Sequence, residues 1–592
     1  MGREEVLRNY WFFSQEVGKE EALAPDFHRE NWQAIQVPHD WSIYNDFDQY
    51  SPAQNEGGQL NGGQAWYRTQ FYLEEDASLV SVRLLFDGVY MNAQVYINGQ
   101  VLGYYPSGYT PFSYDITPYL RNDGTANQLA VFVENQQPSS RWYSGSGIYR
   151  EVKLLITDSV HLDLYGIKIE SPKLKEQRQS WVETQLESKV SNDGPQSVSV
   201  YLEQSIWYDG QQLSDWQATD SIVIESGDKH HFQQAISIFQ PLLWDIASPH
   251  LYQLKTRLYK NGILVNEEEE TFGYRYMDWQ ADKGFFLNGR WLKIHGVCLH
   301  HDYGALGAVE NKSAAERCLR QMKEMGVNAI RITHNPGSSI LLDLSAKMGL
   351  LIQEEAFDTW YGGKKEYDYG RFFEEEATHP EAKTGDFWSD YDLRTMIERG
   401  KNNPAIFMWS LGNEVSEANG DAHSLKTIKR LLERVKEVDD SRFVTMGMDQ
   451  FRFGDGSGGH EKIANLLDVV GLNYSEDNID GIRKRHPKWR LYGSETSSAT
   501  RTRDSYFRPA KEWVGDNRRV RNFEQSDYGN DRVPWGKTAT ASWIADRNRL
   551  DYAGQFIWTG VDYIGEPTPW HNQNDTPVKS SYFGIVDTAG VP

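Results

Sequence analysis

The sequence predicts a chain in three parts. A β-sandwich of jelly-roll type occupies residues 1–158, an immunoglobulin-like β-sandwich 159–276, and a (β/α)8 TIM barrel 277–592. Three observations carry that reading. Up to about residue 276, apolar and polar residues alternate in short runs and no helical period persists. Asn98-Gly99 and Asn261-Gly262 each sit between such runs, the mark of a two-residue hairpin. Beyond 277, strand-like and helix-like runs alternate, which predicts a parallel sheet with crossover helices.

In the first part, Ser81–Phe86, Ala93–Ile97 and Leu129–Val133 have the period of half-buried strands. In the second, Ser197–Leu202, Leu251–Tyr259 and Ile263–Val265 do the same. The third part reads as eight strands, at Trp291–His295, Asn328–His334, Leu350–Glu355, Ile406–Glu414, Phe443–Met446, Val469–Tyr474, Arg490–Glu495 and Gln555–Trp558. Ser313-Ala-Ala-Glu316 is a capping-box pattern that opens the first barrel helix. The clearest helix carries Leu425, Ile428, Leu431, Leu432, Val435 and Val438 on one face. No helical pattern follows the eighth strand before Pro592, so the expected barrel lacks its last helix.

Composition narrows the function. There are 84 acidic and 61 basic residues, a formal net charge of -23, which argues against nucleic acid or an anionic membrane as the partner. No apolar run approaches the ~18 residues of a membrane span, and Met1-Gly-Arg-Glu-Glu is not a signal peptide. Cys298 and Cys318, one in a strand and one in a helix, supply neither a disulfide framework nor a paired-cysteine metal site. Aromatics reach 13%, with 20 tryptophans, and flat rings with polar edges suit sugars as well as cores.

In a barrel of this kind, chemistry collects at the C-terminal ends of the strands. Those ends carry His300 and His301, Arg331 and His334, then Glu354, Glu355 and Asp358. Asn413 and Glu414, Asp449, Asn473 and Tyr474, Glu495 and Trp558 complete the ring. Glu354, Glu355 and Asp358 are hard ligands of the kind that bind divalent cations, but their spacing matches no ligand pattern, so no metal and no cofactor are expected. Trp558 and His334 could equally be core residues.

Two carboxylates facing each other are the parts needed for glycoside hydrolysis, one protonated and one ionised. Strands four and seven lie on opposite sides of an eight-stranded barrel, so Glu414 and Glu495 are the natural pair. Tyr474 and Arg331 beside Glu495 would favour its charged form, as a nucleophile requires. Desolvation beside the apolar run would raise Glu414 towards general-acid duty.

The motifs Pro38–Trp41, Ser146–Arg150, Asn328–Pro336, Trp409–Glu414 and Gly493–Glu495 resemble glycoside hydrolase family 2 over essentially the whole chain. Within it, Asp392–Met396, Gly493–Arg501 and Gly565–Trp570 are most similar to β-galactosidases of the streptococcal cell surface. The resemblance implies that Glu414 is the acid/base and Glu495 the nucleophile. It implies that Asn413 holds the sugar 2-hydroxyl, that Arg141, Asp449 and Trp558 contact galactose, and that His334 and Tyr474 line the site. Arg141 stands near the point where a well-studied bacterial enzyme of the family places an acid and a monovalent cation, and an arginine there would replace the cation's charge, so no metal is carried over. The implied substrate is a terminal β-galactoside, of lactose or N-acetyllactosamine type, and the implied location is secreted or on the cell surface.

Two alternatives remain at this point. A β-glucuronidase of the same family needs an Asn-x-Lys triplet after strand eight, which the segment His571–Lys579 does not contain. A non-catalytic galactoside-binding protein has no need of paired glutamates.

Overall fold

The computed structural model describes the chain except residues 1, 26–28, 77–78, 507–512, 515–522, 571–574 and 592. The segment 571–574, part of the stretch read for a uronide-binding triplet, therefore lies outside the described residues.

The first domain packs two antiparallel sheets face to face. One has the order Arg3–Val6, Val152–Asp158, Val80–Phe86, Phe112–Asp115. The other runs Gln33–Ile35, Trp11–Ser14, Gly63–Phe71, Asn127–Asn135, Ala93–Ile97, Gln100–Tyr105. Alternate residues of both bury a shared core that includes Tyr67, Val82, Leu84, Phe86 and Val131. The Asn98-Gly99 turn has both φ angles positive, 51° and 81°, the geometry that matches strand twist in a tight hairpin. The second domain is a smaller sandwich whose sheets centre on Trp181–Asn192 and on Val198–Tyr208 paired with Tyr252–Lys260.

The third domain is a closed barrel of eight parallel strands. They are β1 Ile294–Leu299, β2 Ala329–Ile332, β3 Leu351–Glu355, β4 Ile406–Asn413, β5 Phe443–Met448, β6 Val470–Asn473, β7 Leu491–Ser497 and β8 Tyr552–Trp558. The helices between them include α1 Lys312–Glu324, α2 Ser339–Met348, α3 Trp388–Gly400 and α4 Ala422–Val438. β4 is buried along its whole length, as a strand in a parallel sheet must be when both faces are covered.

Local readings shift in three places. Trp291 belongs to a hairpin with Gly284–Leu287, and the barrel strand starts only at Ile294, where the buried run begins. The cap of α1 is Asn311, whose side chain accepts from the Ala314 amide at 3.0 Å, so the helix opens two residues before the Ser313 pattern. Among the described residues no helix follows β8, as expected, but the barrel closes without it. β8 pairs directly with β1, from Ile294 opposite Gly554 to Val297 opposite Ile557. The chain then folds back over the junction, with Asp562 donating to Val586 and Val586 to Gly560.

The hairpin ahead of the barrel fixes which end is functional. Trp279 packs against Phe443 and Tyr492, at the starts of β5 and β7, and Phe285 against Phe407 at the start of β4. These rings fill the N-terminal end of the barrel, leaving the C-terminal mouth for ligands. The first domain covers part of that mouth. Arg150 donates to the carbonyls of Pro336 and Gly337 at 3.0 and 3.2 Å, in the loop after β2. Tyr105 and Tyr369 both donate to the buried carboxyl of Asp392 in α3.

Candidate active site

The strand tips converge on a cleft of about 230 Å³. Its walls include Glu414, Glu495, Arg141, His334, Asn413, Tyr474, Trp558 and Glu566. The backbone has been bent to bring them there. Ladder register slips at the tips of β4, β6 and β7, between Ser410 and Asn413, Leu472 and Asn473, and Gly493 and Thr496. Such bulges re-aim side chains. Glu414, Tyr474, Ser497, Ser498 and Glu566 all have φ between 40° and 69°, the left-handed region that non-glycine residues avoid. Each such residue costs about 1–3 kcal/mol, and clusters of them mark functional sites.

Arg331 at the tip of β2 ties the floor together and is fully buried. Its Nη1 donates to Glu495 Oε1 at 2.8 Å and to the Ser494 carbonyl at 3.1 Å. Its Nη2 donates to Glu355 Oε2 at 2.8 Å and to Asn413 Oδ1 at 2.9 Å. Asn473 Nδ2 donates to Asn413 Oδ1 at 3.2 Å and to Glu414 Oε1 at 3.1 Å, so one network reaches both candidate glutamates. Gly447 in β5 is needed beneath it. A Cβ there would lie 2.8 Å from Arg331 Nη2 and 3.1 Å from Asn413 Oδ1.

Electrostatics separate the two glutamates, though not as the sequence suggests. Burial pushes Glu495 up to about 8. Arg331 pulls it down, the charge of Glu414 pushes it up, and the Tyr474 hydroxyl pulls it down. Desolvation thus falls on Glu495, which is 3% exposed, while Glu414 sits half-buried at the mouth. The expected depression of Glu495 is outweighed, because the apolar barrel interior costs a charge more than one shared guanidinium returns.

His334 donates from Nδ1 to Glu355 Oε1 at 2.7 Å, and burial lowers it to about 4 despite that carboxylate. It is therefore neutral at pH 7, with Nε2 3.3 Å from the Asn413 amide nitrogen. Trp558 stacks on the His334 ring at 5.3 Å and an interplanar angle of 6°, forming one wall. Asp449 is paired with Arg452 at 3.2 Å, and it is Arg452 that lines the cleft.

Arg141 enters from the first domain and pairs with Asp358 at 2.8 Å. Lys364 donates to the same Asp358 oxygen at 2.9 Å and to the Asn413 carbonyl at 2.7 Å. The three acids at the end of β3 and just beyond it do not converge. Glu354 pairs with Arg399, Glu355 with Arg331 and His334, and Asp358 with Arg141 and Lys364. His301 turns away to the Ser144 carbonyl, and His300 packs on Trp142 and Tyr563 behind the wall. Sequence reasoning passed over Glu355 as a network member and missed Lys364, Arg452, Trp535 and Glu566. Of these, Lys364, Trp535 and Glu566 lie outside strand and helix, where no periodicity flags them.

Three family models cover the chain: the glycosyl hydrolases family 2 sugar binding domain over residues 8–158, glycosyl hydrolases family 2 over 165–275, and the family 2 TIM barrel domain over 280–574. The chain belongs to glycosyl hydrolase family 2. A β-galactosidase of Bacteroides ovatus is 38% identical over 97% of this family 2 chain and 69% of its own length. A putative β-glucuronidase of Formosa agariphila is 30% identical, covering 96% of this chain and 53% of its own. The chain thus spans between half and about two thirds of these relatives. Among solved structures, a family 2 member from Bacteroides cellulosilyticus superposes with a TM-score of 0.85 at 29% identity, covering 100% of this chain and 69% of that one. A β-glycosidase from Bacteroides vulgatus gives 0.82 at 29%, covering 100% and 73%.

Proposed function

We propose that this family 2 glycosidase is a retaining β-galactosidase that releases terminal β-D-galactose by double displacement. The observation that carries the mechanism is the asymmetry around one network. Glu495 accepts from a guanidinium at 2.8 Å, whereas Glu414 accepts from the neutral amide of Asn473 at 3.1 Å. The charge of Glu414 is one of the causes that raise Glu495. A proton on Glu414 removes one of the pushes on Glu495 and leaves Arg331 and Tyr474 to stabilise its charge.

In the first step a Glu495 oxygen attacks C1 as Glu414 passes its proton to the leaving oxygen, and the aglycone departs as an alcohol. In the second, water gives a proton to Glu414 and its oxygen to C1, freeing Glu495 and a β-configured sugar. In this reading Asn413 would hold the 2-hydroxyl, and Trp558, Tyr474, Arg141 and the Arg452–Asp449 pair would bound the ring.

The choice of a neutral sugar over a uronide rests on charge. Arg141 and Lys364 are both spent on Asp358, Arg452 on Asp449, and Arg331 on Glu355 and Glu495. A uronide carboxylate needs an unspent cation, and among the described residues the cleft offers none. The Bacteroides ovatus relative supports the same choice. The substrates proposed are β-1,4-linked galactosides of lactose or N-acetyllactosamine type, met outside the cell or at its surface. Nitrophenyl β-galactoside and β-glucuronide assayed side by side, with proton NMR of the first-formed anomer, test this. Turnover of the glucuronide alone, or an α product, would overturn it. Galactose binding without any turnover would favour a non-catalytic protein.

A further inference from the structure

The double displacement leaves one carboxyl group in the cleft without a task. Glu566 follows β8 and lines the same cavity as Glu414 and Glu495. Its place is tightly fixed. Its amide donates to the Glu56 carbonyl at 3.0 Å, tying it to the first domain. A Cβ on the preceding Gly565 would lie 2.1 Å from that same oxygen, so the two segments are in backbone contact. The residue itself holds a left-handed φ of 40°.

Among the described residues, only Tyr563 donates a hydrogen bond to this carboxyl, through Oε2, and no cation lies within ion-pair distance of it. Among the described residues Oε1 accepts no hydrogen bond, and the residue lines the cavity. Burial raises the group to about 7, while the nearby Arg141 draws it down and the charges of Glu56 and Glu414 push it up. An acceptor held by a left-handed backbone at the wall of a sugar-sized cleft is positioned to take a donor from a ligand.

We propose that Glu566 is a specificity-determining residue: it accepts a hydrogen bond from a ring or exocyclic hydroxyl of the bound hexose, and its negative charge excludes sugars oxidised at C6. The assignment rests on the galactosidase reading above. A neutral hexose brings a donor hydroxyl to Oε1, whereas a uronide brings a second carboxylate into a cleft whose cations are already paired. This role differs from that of Arg141 or Trp558, because it rejects as well as binds.

The test compares wild type with E566Q and E566D on nitrophenyl β-D-galactoside and nitrophenyl β-D-galacturonide. E566Q should raise KM for the galactoside about tenfold, the size of one hydrogen bond to a charged group, with kcat changed less. It should also narrow the preference for galactoside over galacturonide by about tenfold or more, because a like-charge encounter is removed. E566D, which keeps the charge on a shorter stem, should lose affinity yet keep the preference. Unchanged KM and preference in E566Q overturn the proposal. So does a parallel loss on both substrates with a lowered melting temperature, which would mark a structural role. An inactive wild type overturns the galactosidase reading itself, and this assignment falls with it.

Discussion

Arg141 of the first domain meets Asp358 of the barrel at 2.8 Å, and Asp358 in turn accepts from Lys364, which holds the Asn413 carbonyl. The sugar-binding domain is therefore wired to the residue next to the proposed acid. Arg141→Ala should lower kcat/KM about thirtyfold, the ~2 kcal/mol expected when one partner of a half-buried charged pair is removed. Thermal melting should shift little, since the pair lies at an open cleft. Steady-state kinetics beside a melt separates the two effects.

Glu414→Ala and Glu495→Ala should each lose at least about a thousandfold on lactose. Added azide distinguishes their roles. With the nucleophile gone, azide attacks the opened face and yields an α-galactosyl azide. With the acid/base gone, it intercepts the glycosyl-enzyme and yields the β-azide. NMR of the product reads the assignment, and the opposite pairing of variant and anomer would reverse it.

Gly447→Ala puts a methyl group where Arg331 Nη2 passes at 2.8 Å. Arg331 is fully buried and committed on every side, so it cannot simply swing away. The variant should lose about 1–3 kcal/mol of stability by overpacking and a larger fraction of its kcat than of its substrate affinity. Denaturant melts and kinetics would show both.

Asp392 is buried between Tyr105 and Tyr369, and burial raises it from 3.8 to about 7 while both hydroxyls pull it down. A carboxyl raised in the folded state binds its proton more tightly there than when unfolded. Its contribution is therefore fully present below about pH 4 and is lost as pH rises towards 7. Across that window the loss is on the order of 4 kcal/mol. Asp392→Asn should flatten the fall in stability between pH 4 and 7, measured by denaturant melts at several pH values. Asp302 and Glu268, also raised to about 7 by burial, keep the slope from vanishing.

Much of this was legible in the sequence because barrel strands are written as apolar runs and their tips as polar punctuation. Ile406–Asn413 reads as buried on both faces and is so, and Glu414 follows it to the mouth. Strand limits were less legible, since Trp291-Leu-Lys looks like the start of β1 but serves the preceding hairpin. The balance of charge was not legible at all. Arg331 beside Glu495 suggests a depressed carboxylate, yet the depth of the barrel floor, a tertiary quantity, decides the sign. Glu566 and Lys364 stayed hidden for a related reason. Loop residues acquire a function only when distant segments, here Glu56 and Asn413, close around them.

The aromatic hairpin that fills the lower end of the barrel has a consequence for traffic. Trp279 and Phe285 pack edge-on and tilted against rings at the strand starts, and so among the described residues they plug the rear of the barrel. Released sugar must leave by the doorway through which the next substrate arrives. Galactose is therefore expected to act as a strictly competitive inhibitor, raising apparent KM without touching kcat, and turnover on concentrated substrate should slow as the free sugar accumulates.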